Sequence, residues 1–525
     1  MAHVLAIDAG TTGIRTVAVD HTGQVSDLAY RELTQHFPRP GWVEHDPAEI
    51  WTAVRSTLVE VAGRLAEANE TVTGIGITNQ RETVIAFDRK SGRAHHHAIV
   101  WQDRRTTPLC GQLRDQGHLP LVRDRTGLVL DPYFSATKVA WLLTESGLDL
   151  NPSDPGLSFC TVDTWILWHL SGGAAYATDP SNASRTLLFD TAERAWSPEL
   201  CHLFGVPIQT LAEVRPSAGR FGHVDPARWT DAAGPSAPTS AGSHTSPSAP
   251  TSAGAPVDVA RAIAMLDGVP ISGILGDQQA ALFGQCCFDP GLAKVTYGTG
   301  SFVLANAGPD RPPAPDGLTV SCAWDLGTHA PADASIAYSL EGSAFVAGAA
   351  IQWLRDGLGI IAHASELGPL ASSVPDSGGV TFVPALAGLG SPDWDPDARG
   401  IITGLTRGAG RAQLARACVE ALAFQVRDMT DAMAAALRDA APSHPLSALR
   451  ADGGAAAMDL LLELQAEQSR LPVARPRSTE ATALGAATVA GLAEGVWASL
   501  DELRSLWEAE RVRAPTARRV HRCAP

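Results

Sequence analysis

Residues 4–20 read VLAIDAGTTGIRTVAVD, two runs rich in β-branched residues on either side of a turn of small residues. This pattern predicts a β-hairpin, because Val, Ile and Thr favour strands and glycines let the backbone turn sharply. The turn amides and the Thr11 and Thr12 hydroxyls suit a phosphate, and Asp8 at the end of the first strand could hold a divalent ion. Taken alone, such a hairpin is more often a plain surface turn than a phosphate site.

A second copy of this design lies in the other half of the chain, where residues 294–305 read KVTYGTGSFVLA. A strand, a Gly-Thr-Gly turn and another strand again predict a hairpin that presents backbone amides to an anion. Two such hairpins, one in each half of the chain, could bind a nucleoside triphosphate from the two sides of a cleft. The pair therefore favours phosphate binding over the surface-turn interpretation.

The composition limits the classes of function. A chain of 525 residues, 45% of them apolar, is too long for one hydrophobic core and predicts two large domains. The formal charge of -16 argues against a general affinity for nucleic acid or anionic membranes. Without a GxxxxGK[ST] motif a P-loop is excluded, and without a long apolar run we expect a cytoplasmic protein with no membrane insertion. The eight scattered cysteines fit reduced thiols.

Polar or aromatic residues follow several predicted strands, which is where α/β folds place their ligands. Arg81 and Glu82 come directly after one such strand, and Trp101 ends a short apolar run. Packing in the core is the commoner role of an isolated tryptophan. Tyr133 lies in a Pro-containing turn before a predicted helix. Asp277 follows another strand, where it is either a helix N-cap or a general base.

The second half offers three further segments. A helix predicted over 344–354 carries Gly348 and Gln352 one turn apart. The Asp-Gly-Gly sequence at 452–454 is either a tight turn or a place where the backbone approaches a ligand closely. The small-residue run at 481–487 predicts a helix that packs tightly on a sheet or a cleft floor.

Between 231 and 257 the composition collapses to mainly Ala, Pro, Ser, Thr and Gly. The sequence SAPTSAG occurs there twice, at 236–242 and at 248–254. Such a composition cannot build a core, so we predict a disordered surface insertion.

With these segments in view, the chain resembles the FGGY carbohydrate kinases. The resemblance runs from about residue 4 to 510 and rests on DAGTT at 8–12, PGWVEHDP at 40–47, GITNQRET at 76–83, DPYFS at 131–135, GDQQAALFG at 276–284 and TYGTG at 296–300. It implies an α/β protein with an actin-like ATPase fold, two RNase-H-like domains with a nucleotide cleft between them. An N-terminal FGGY domain at 1–284, which contains the insertion, would bind the polyol. A C-terminal FGGY domain at 285–525 would bind the nucleotide.

The resemblance also implies a reaction and a set of site residues. The reaction would be phosphorylation of glycerol to sn-glycerol 3-phosphate by ATP and Mg²⁺, an in-line transfer with Asp277 as the general base. The glycerol-binding residues would be Arg81, Glu82, Trp101, Tyr133, Asp277, Gln278 and Phe302. The nucleotide would contact Thr11, Thr12, Gly13, Arg15, Thr299, Gly348, Gln352, Gly454 and Met458, and the metal would be held by Asp8 and Asp277.

Four departures from the family pattern bear on these assignments. Ala9 stands where the family usually has Gln, and Gly13 where it often has Ser. Met458 replaces an Asn near the adenine, and the 231–257 insertion replaces a region through which some relatives are regulated. Two alternatives stay open: a kinase for another small polyol or ketose, and a catalytically impaired nucleotide-binding regulatory paralogue. The family also leads us to expect a homodimer or a homotetramer.

Overall fold

The structure, a computed structural model, describes residues 1–151, 153–230, 258–395 and 397–515. The insertion predicted at 231–257 and the cysteine at position 523 lie outside the described residues. The described chain forms two compact units. The first contains the described parts of 1–284 together with 321–337 and 482–506, and the second contains 285–320, 338–481 and the segment that begins at 507.

A six-stranded sheet forms the centre of the first unit. Its strands lie in the order Ala218–His223, Pro270–Gly276, Thr71–Asn79, Ala2–Ala9, Gly13–Asp20 and Val25–Glu32. The hairpin predicted at 4–20 is confirmed by the antiparallel pairing of its two strands. The three central strands are parallel, and Asn79 pairs in register with both Ala9 and Gly276. Their carboxyl ends therefore lie together at one edge of the sheet.

Helices and short strand pairs surround this sheet. The helices span Pro47–Glu67, Thr107–Asp115, Leu119–Thr126, Ser135–Thr144, Val162–Leu170, Pro180–Ala183, Pro198–Phe204, Val259–Leu266, Asp277–Gly284, Ala481–Ala493 and Leu500–Leu506. The short strands are Glu44–His45 with Ala98–Ile99, Ile85–Asp88 with Arg93–Ala94 and Leu157–Cys160, Ala177–Thr178 with Glu213–Val214, and Phe189–Asp190 with Ala195–Trp196.

The small-residue helix predicted at 481–487 is present and packs on the first unit. A Cβ atom built at Gly485 would lie 1.9 Å from the carbonyl oxygen of Ala280, and one built at Gly76 would lie 2.1 Å from that of Ala486. Only glycine permits backbones to approach so closely. The chain therefore returns, late in its sequence, to complete the first unit.

The second unit repeats the strand plan of the first. Its strands lie in the order Ile336–Ala344, Ser301–Gly308, Leu292–Tyr297, Ala448–Asp452, Val473–Pro476 and Ala509–Arg513. In this order the first three strands are antiparallel, the next two run parallel to the third, and the edge strand is antiparallel to its neighbour. The first unit shows the same pattern when its strands are read from Val25–Glu32 to Ala218–His223. The hairpin predicted at 294–305 is thereby confirmed. A further strand, Thr319–Asp325, includes the boundary between the two units in sequence.

The helices of the second unit span Gly348–Asp356, Leu367–Ser372, Arg411–Ala440 and Asp459–Ser469, and a strand pair joins Thr381–Val383 to Ile401–Thr403. The helix predicted from 344 begins four residues later, at Gly348, because residue 344 still belongs to a paired strand. Among the described residues, no helix has the length and apolar character needed to cross a membrane. The seven described cysteines are free thiols and all are buried.

Candidate active site

Arg81 lies at the carboxyl edge of the first sheet and joins several of the predicted polyol-binding residues. Its side chain is almost fully buried, with 2% of the residue exposed. Its Nε atom lies 3.1 Å from Asp277 Oδ1, and one Nη donates to the Tyr133 hydroxyl at 3.3 Å. The other Nη donates to Gln279 Oε1 at 3.1 Å. Arg81 therefore fixes an acid and a phenol from distant parts of the chain next to each other.

Asp277 combines this ion pair with access to solvent. Its side chain is 28% exposed, whereas that of Arg81 is 1% exposed. Asp277 is the first residue of its helix, and its Oδ1 accepts a hydrogen bond from the Gln278 amide at 2.7 Å. The carboxylate is thus held in place on one side and open on the other, as a base that meets a substrate hydroxyl needs to be.

A buried ion pair lies beside Arg81. Arg185 Nε donates to Glu82 Oε1 at 2.7 Å, and both side chains are 1% exposed. The same oxygen of Glu82 lies 3.8 Å from Arg81 Nε. Glu82 also has a φ of 63°, a left-handed conformation that residues other than glycine rarely adopt. Two buried cations, Arg185 and Arg81, therefore compensate the charge of Glu82.

Two aromatic rings form a wall at the same edge. The ring centroids of Trp101 and Tyr133 are 5.4 Å apart in an edge-to-face arrangement. The Trp101 ring is not simply core filling, because its Nε1 donates to Thr11 Oγ1 at 2.9 Å and the residue is only half-buried. Arg185 completes this wall, with its guanidinium 5.4 Å from the centre of the Tyr133 ring.

The first hairpin carries the four nucleotide-binding residues predicted in this unit. Its turn is closed by the Gly10 amide, which donates to the carbonyl of Gly13 at 3.0 Å. Arg15 pairs across the hairpin with Asp8, with 3.4 Å between Nε and Oδ2. A Cβ atom at Gly13 would lie 2.3 Å from the Tyr30 hydroxyl oxygen, so a larger residue here would require the Tyr30 side chain to move.

The second unit contains a cavity of about 780 Å³. This volume falls within the usual range for small-molecule sites. All the nucleotide-binding residues predicted in this half of the chain line it: Thr299, Gly348, Gln352, Gly454 and Met458.

The wall of this cavity depends on a close approach of two glycines. The Gly348 amide donates to the Gly298 carbonyl at 2.9 Å, and a Cβ atom at Gly348 would lie 2.6 Å from that oxygen. The Ala347 and Ala349 amides donate to the Thr299 carbonyl at 2.8 and 3.0 Å. The start of the helix Gly348–Asp356 is therefore bonded directly to the turn of the second hairpin.

Met458 gives one part of the cavity wall an apolar character. The residue is half-buried just before the helix Asp459–Ser469, and its Cγ lies 3.3 Å from a Cβ atom built at Gly368. A thioether offers van der Waals contact but only a weak hydrogen-bond acceptor. At this position the wall therefore offers apolar contact rather than a strong hydrogen bond.

The predicted site residues divide between the two units. Arg81, Glu82, Trp101, Tyr133, Asp277 and Gln278 belong to the first, whereas Phe302 lies 9% exposed on a strand of the second. Sequence reasoning missed Arg185 and Gln279 in the first unit and Arg355 in the cavity wall of the second. The pair of glutamines that directly follows Asp277 could have indicated Gln279 as a site residue. No feature of the sequence around Arg185 indicated that it would reach Glu82.

The residues present fit a magnesium ion bound together with phosphates. The described part of the chain has no group of three or more His, Cys, Asp and Glu side chains that could hold a metal by itself. Mg²⁺ commonly takes only one or two protein carboxylates and completes its shell with phosphate and water. Asp8 beside the first hairpin and the open carboxylate of Asp277 offer oxygen donors of this kind.

The chain belongs to the FGGY family of carbohydrate kinases. The model of the family's N-terminal domain matches residues 3–250, and that of its C-terminal domain matches residues 293–494. Among curated relatives, glycerol kinase from Polaromonas naphthalenivorans is 46% identical over 519 residues, covering 98% of this chain and 95% of the relative. Glycerol kinase from Citrifermentans bemidjiense is 47% identical over 523 residues, covering 99% of this chain and 96% of the relative.

Solved structures support the same fold. The crystal structure of Plasmodium falciparum glycerol kinase with ADP superimposes with a TM-score of 0.84 at 30% identity, covering 98% of this chain and 94% of that one. A ligand-bound xylulose kinase from Lactobacillus acidophilus reaches a TM-score of 0.80 at 19% identity, covering the same shares. The second similarity concerns the fold alone. The actin-like ATPase fold predicted from the sequence is thereby confirmed.

Proposed function

We propose that this protein phosphorylates glycerol, with ATP as the phosphoryl donor, to give sn-glycerol 3-phosphate. The observation that carries the proposal is the 3.1 Å contact between Arg81 and Asp277 at the carboxyl edge of the first sheet, with Asp277 open to solvent. Relatives of nearly full length that are named glycerol kinase support the choice of substrate.

The chemistry of the first unit suits a triol. Each hydroxyl of glycerol both donates and accepts a hydrogen bond, so a site for it needs donors and acceptors together. Arg81 and Gln278 supply donors, whereas Glu82 and Asp277 supply acceptors. Trp101 and Tyr133 cover the carbon chain on one side, and we assign the same task to Phe302 from the second unit.

In the proposed reaction, Asp277 accepts the proton of a terminal glycerol hydroxyl while that oxygen attacks the γ-phosphorus of ATP. The new bond joins the glycerol oxygen to phosphorus, the bond from phosphorus to the β-γ bridging oxygen breaks, and ADP leaves. Arg81 orients Asp277 throughout. Mg²⁺, held near Asp8 and Asp277, would neutralise charge on the phosphate oxygens when bound.

We assign nucleotide binding to two sets of residues. Thr11, Thr12, Gly13 and Arg15 on the first hairpin would hold phosphates, since amides and hydroxyls at such a turn donate to anions. The cavity of the second unit would hold the rest of the nucleotide, with Thr299, Gly348, Gln352, Gly454 and Met458 as its contacts. In this assignment residues 1–284 supply most of the polyol contacts, and residues 285–525 supply most of the nucleotide contacts.

The test is release of ADP that depends on added glycerol. We expect ADP to form with glycerol and MgATP and to be negligible when glycerol is left out. A panel of dihydroxyacetone, erythritol and xylulose separates glycerol from the other polyols and ketoses. If the protein turned over xylulose in preference to glycerol, xylulose would be the substrate instead of glycerol. If it bound nucleotide but released no ADP, the regulatory paralogue would be the better interpretation. Light scattering of the same sample measures whether it is the homodimer or homotetramer that we propose.

A further inference from the structure

Lys138 clamps the turn that carries Tyr133. The lysine lies in the first turns of the helix Ser135–Thr144 and is fully buried. Its Nζ donates to three consecutive backbone carbonyls, those of Pro132 at 2.6 Å, Tyr133 at 2.7 Å and Phe134 at 3.1 Å. An ammonium group has three N–H donors, so every donor is used on this one turn.

Burying the ammonium of Lys138 has a cost, which its three hydrogen bonds offset. Burial disfavours a cation and lowers the pKa of Lys138 to about 8, against the attraction of the surrounding Glu82, Asp103, Asp131 and Cys110. A positive charge near a helix N-terminus is also unfavourable to the helix dipole. An apolar side chain of similar length would avoid both effects but would leave the three carbonyls without this donor. The lysine therefore helps to hold the turn in one geometry.

The turn held by Lys138 positions Tyr133, which lies among the predicted polyol-binding residues. The Tyr133 hydroxyl accepts from Arg81, and its ring meets Trp101. From the opposite side, Asp131 Oδ1 accepts the Tyr133 amide at 2.8 Å. The backbone of Tyr133 is therefore held on both sides, by Asp131 at its nitrogen and by Lys138 at its oxygen.

We propose that Lys138 is a positioning residue that sets the affinity for the polyol through Tyr133, without touching the polyol itself. The inference rests on the proposed function, in which Tyr133 covers the carbon chain of glycerol. The inference predicts that replacing Lys138 weakens the binding of the polyol but not that of the nucleotide. Loss of the clamp should let Tyr133 shift, which weakens glycerol binding and leaves nucleotide binding in the second unit unchanged.

The experiment compares Lys138→Met with the unmodified protein in steady-state kinetics. Because a displaced Tyr133 would lose part of its contact with the polyol, we expect the glycerol KM to rise about tenfold, which corresponds to about 1.4 kcal/mol of binding free energy. The KM for MgATP and kcat should each stay within about twofold. Lys90→Met is the matched control, since Lys90 is exposed, with 69% of its side chain accessible, and pairs only weakly with Asp154 at 3.5 Å.

A double-mutant cycle separates positioning from a general structural role. If Lys138 acts through the Tyr133 ring, the glycerol KM of Lys138→Met combined with Tyr133→Ala should be no higher than that of the worse single variant. Additive effects on KM, or equal losses for both substrates, would overturn the inference. Lys138→Arg, which keeps donors and charge, should recover part of the affinity.

A second variant covers the case in which Lys138→Met does not fold. Asp131→Ala removes the acceptor of the Tyr133 amide and so loosens the same turn from its other side, at a partly exposed residue. It should raise the glycerol KM selectively, and an unchanged KM would contradict the role of the turn. The two proposals fail differently: unmodified protein that releases no ADP with glycerol refutes the function, whereas normal turnover with an unaltered KM in these variants refutes only the role of Lys138.

Discussion

The indole Nε1 of Trp101 donates a hydrogen bond to Thr11 Oγ1 at 2.9 Å. The bond joins, within the first unit, a residue assigned to the polyol and a residue assigned to the nucleotide phosphates. A change at one of these residues can pass to the other through this bond, and any coupling of the two affinities would be reciprocal. Trp101 and Thr11 therefore form a direct contact between the two proposed sets of binding residues in this unit.

Replacing Trp101 with Phe keeps an aromatic ring and removes this donor. A hydrogen bond of this type is worth about 1 kcal/mol, so we expect the glycerol KM to rise about fivefold. The factor by which saturating glycerol strengthens ATP binding should fall as well, and isothermal titration measures both affinities. Trp229→Phe is the control, because it removes a comparable bond, from Nε1 to the Leu170 carbonyl at 3.1 Å, elsewhere in the unit. Equal effects of the two variants would argue against the connection.

Asp277→Asn tests the general base. The amide cannot accept the hydroxyl proton, so kcat should drop by about 10³-fold or more. Losses of this size are typical when a general base, or a group that stabilises charge in the transition state, is removed. The melting temperature should change little, since the side chain stays partly exposed and Arg81 keeps its bonds to Gln279 and Tyr133. Asp267→Asn, at an exposed position of the same unit, is the control. Retained turnover in Asp277→Asn would refute the assignment.

Arg185→Met tests the buried ion pair. Removing one partner of such a pair leaves an uncompensated charge and typically destabilises a protein by about 3–5 kcal/mol. We expect a loss of this size in the free energy of unfolding measured with urea, and partial recovery when Glu82→Gln is added. Arg228→Met is the comparison, because Arg228 and Asp225 form a largely exposed pair at 3.3 Å that should contribute under about 1 kcal/mol. A stable Arg185→Met protein would show that Arg81 alone compensates Glu82.

Gly348→Ala tests the wall of the nucleotide cavity. The added Cβ would meet the Gly298 carbonyl at 2.6 Å, so the helix start must move away from the second hairpin. We expect the KM for MgATP to rise about tenfold with a smaller change for glycerol, since a rise of this size needs only about 1.4 kcal/mol. Gly111→Ala is the matched control: Gly111 is a helical glycine with no atom within 4 Å of the built Cβ. An unaltered MgATP KM in Gly348→Ala would count against the proposed nucleotide site.

His45 makes the first unit sensitive to acid. Burial, together with His36 and His97 nearby, lowers the pKa of His45 from 6.5 to about 4. The folded protein therefore binds fewer protons than the unfolded chain in this interval, and stability present above pH 6.5 is lost as the pH falls toward 4. The full difference amounts to about 3 kcal/mol.

His45→Asn should remove this part of the pH dependence. The free energy of unfolding of this variant, measured with urea, should then fall less between pH 7 and 4.5 than that of the unmodified protein. The difference between the two falls should be about 2–3 kcal/mol. His202→Asn, at an exposed histidine, should leave the slope as it was. If His45→Asn and the unmodified protein lose stability in parallel, His45 is not the group responsible.

The sequence predicted those parts of the molecule that depend on local patterns. Both hairpins followed from β-branched runs around glycines, and the positions of Arg81 and Asp277 followed from their place after parallel strands. A sheet brings the ends of its parallel strands together whatever the intervening sequence, so residues at these ends can be predicted to be neighbours. The cavity lining in the second unit followed from the family resemblance.

The contacts that sequence reasoning missed depend on long-range packing. Arg185 reaches Glu82 from a segment with no strand-end signal, and no local pattern reports which carboxylate a buried guanidinium meets. The composition of 481–487 predicted a helix that packs tightly, but small residues do not specify which sheet they pack against. Only the contacts of Gly485 and Ala486 place that helix on the first unit.

This return of the chain bears on the order of events during synthesis. Domains usually fold as units while the ribosome is still adding residues, beginning with the N-terminal one. Here residues 482–506 of the first unit follow most of the second unit in sequence. The helix that packs against Gly76 and Ala280 is therefore made after the other segments of the first unit. The edge strand Ala509–Arg513 of the second unit comes later still, so neither unit can be complete until residues beyond 482 have been made.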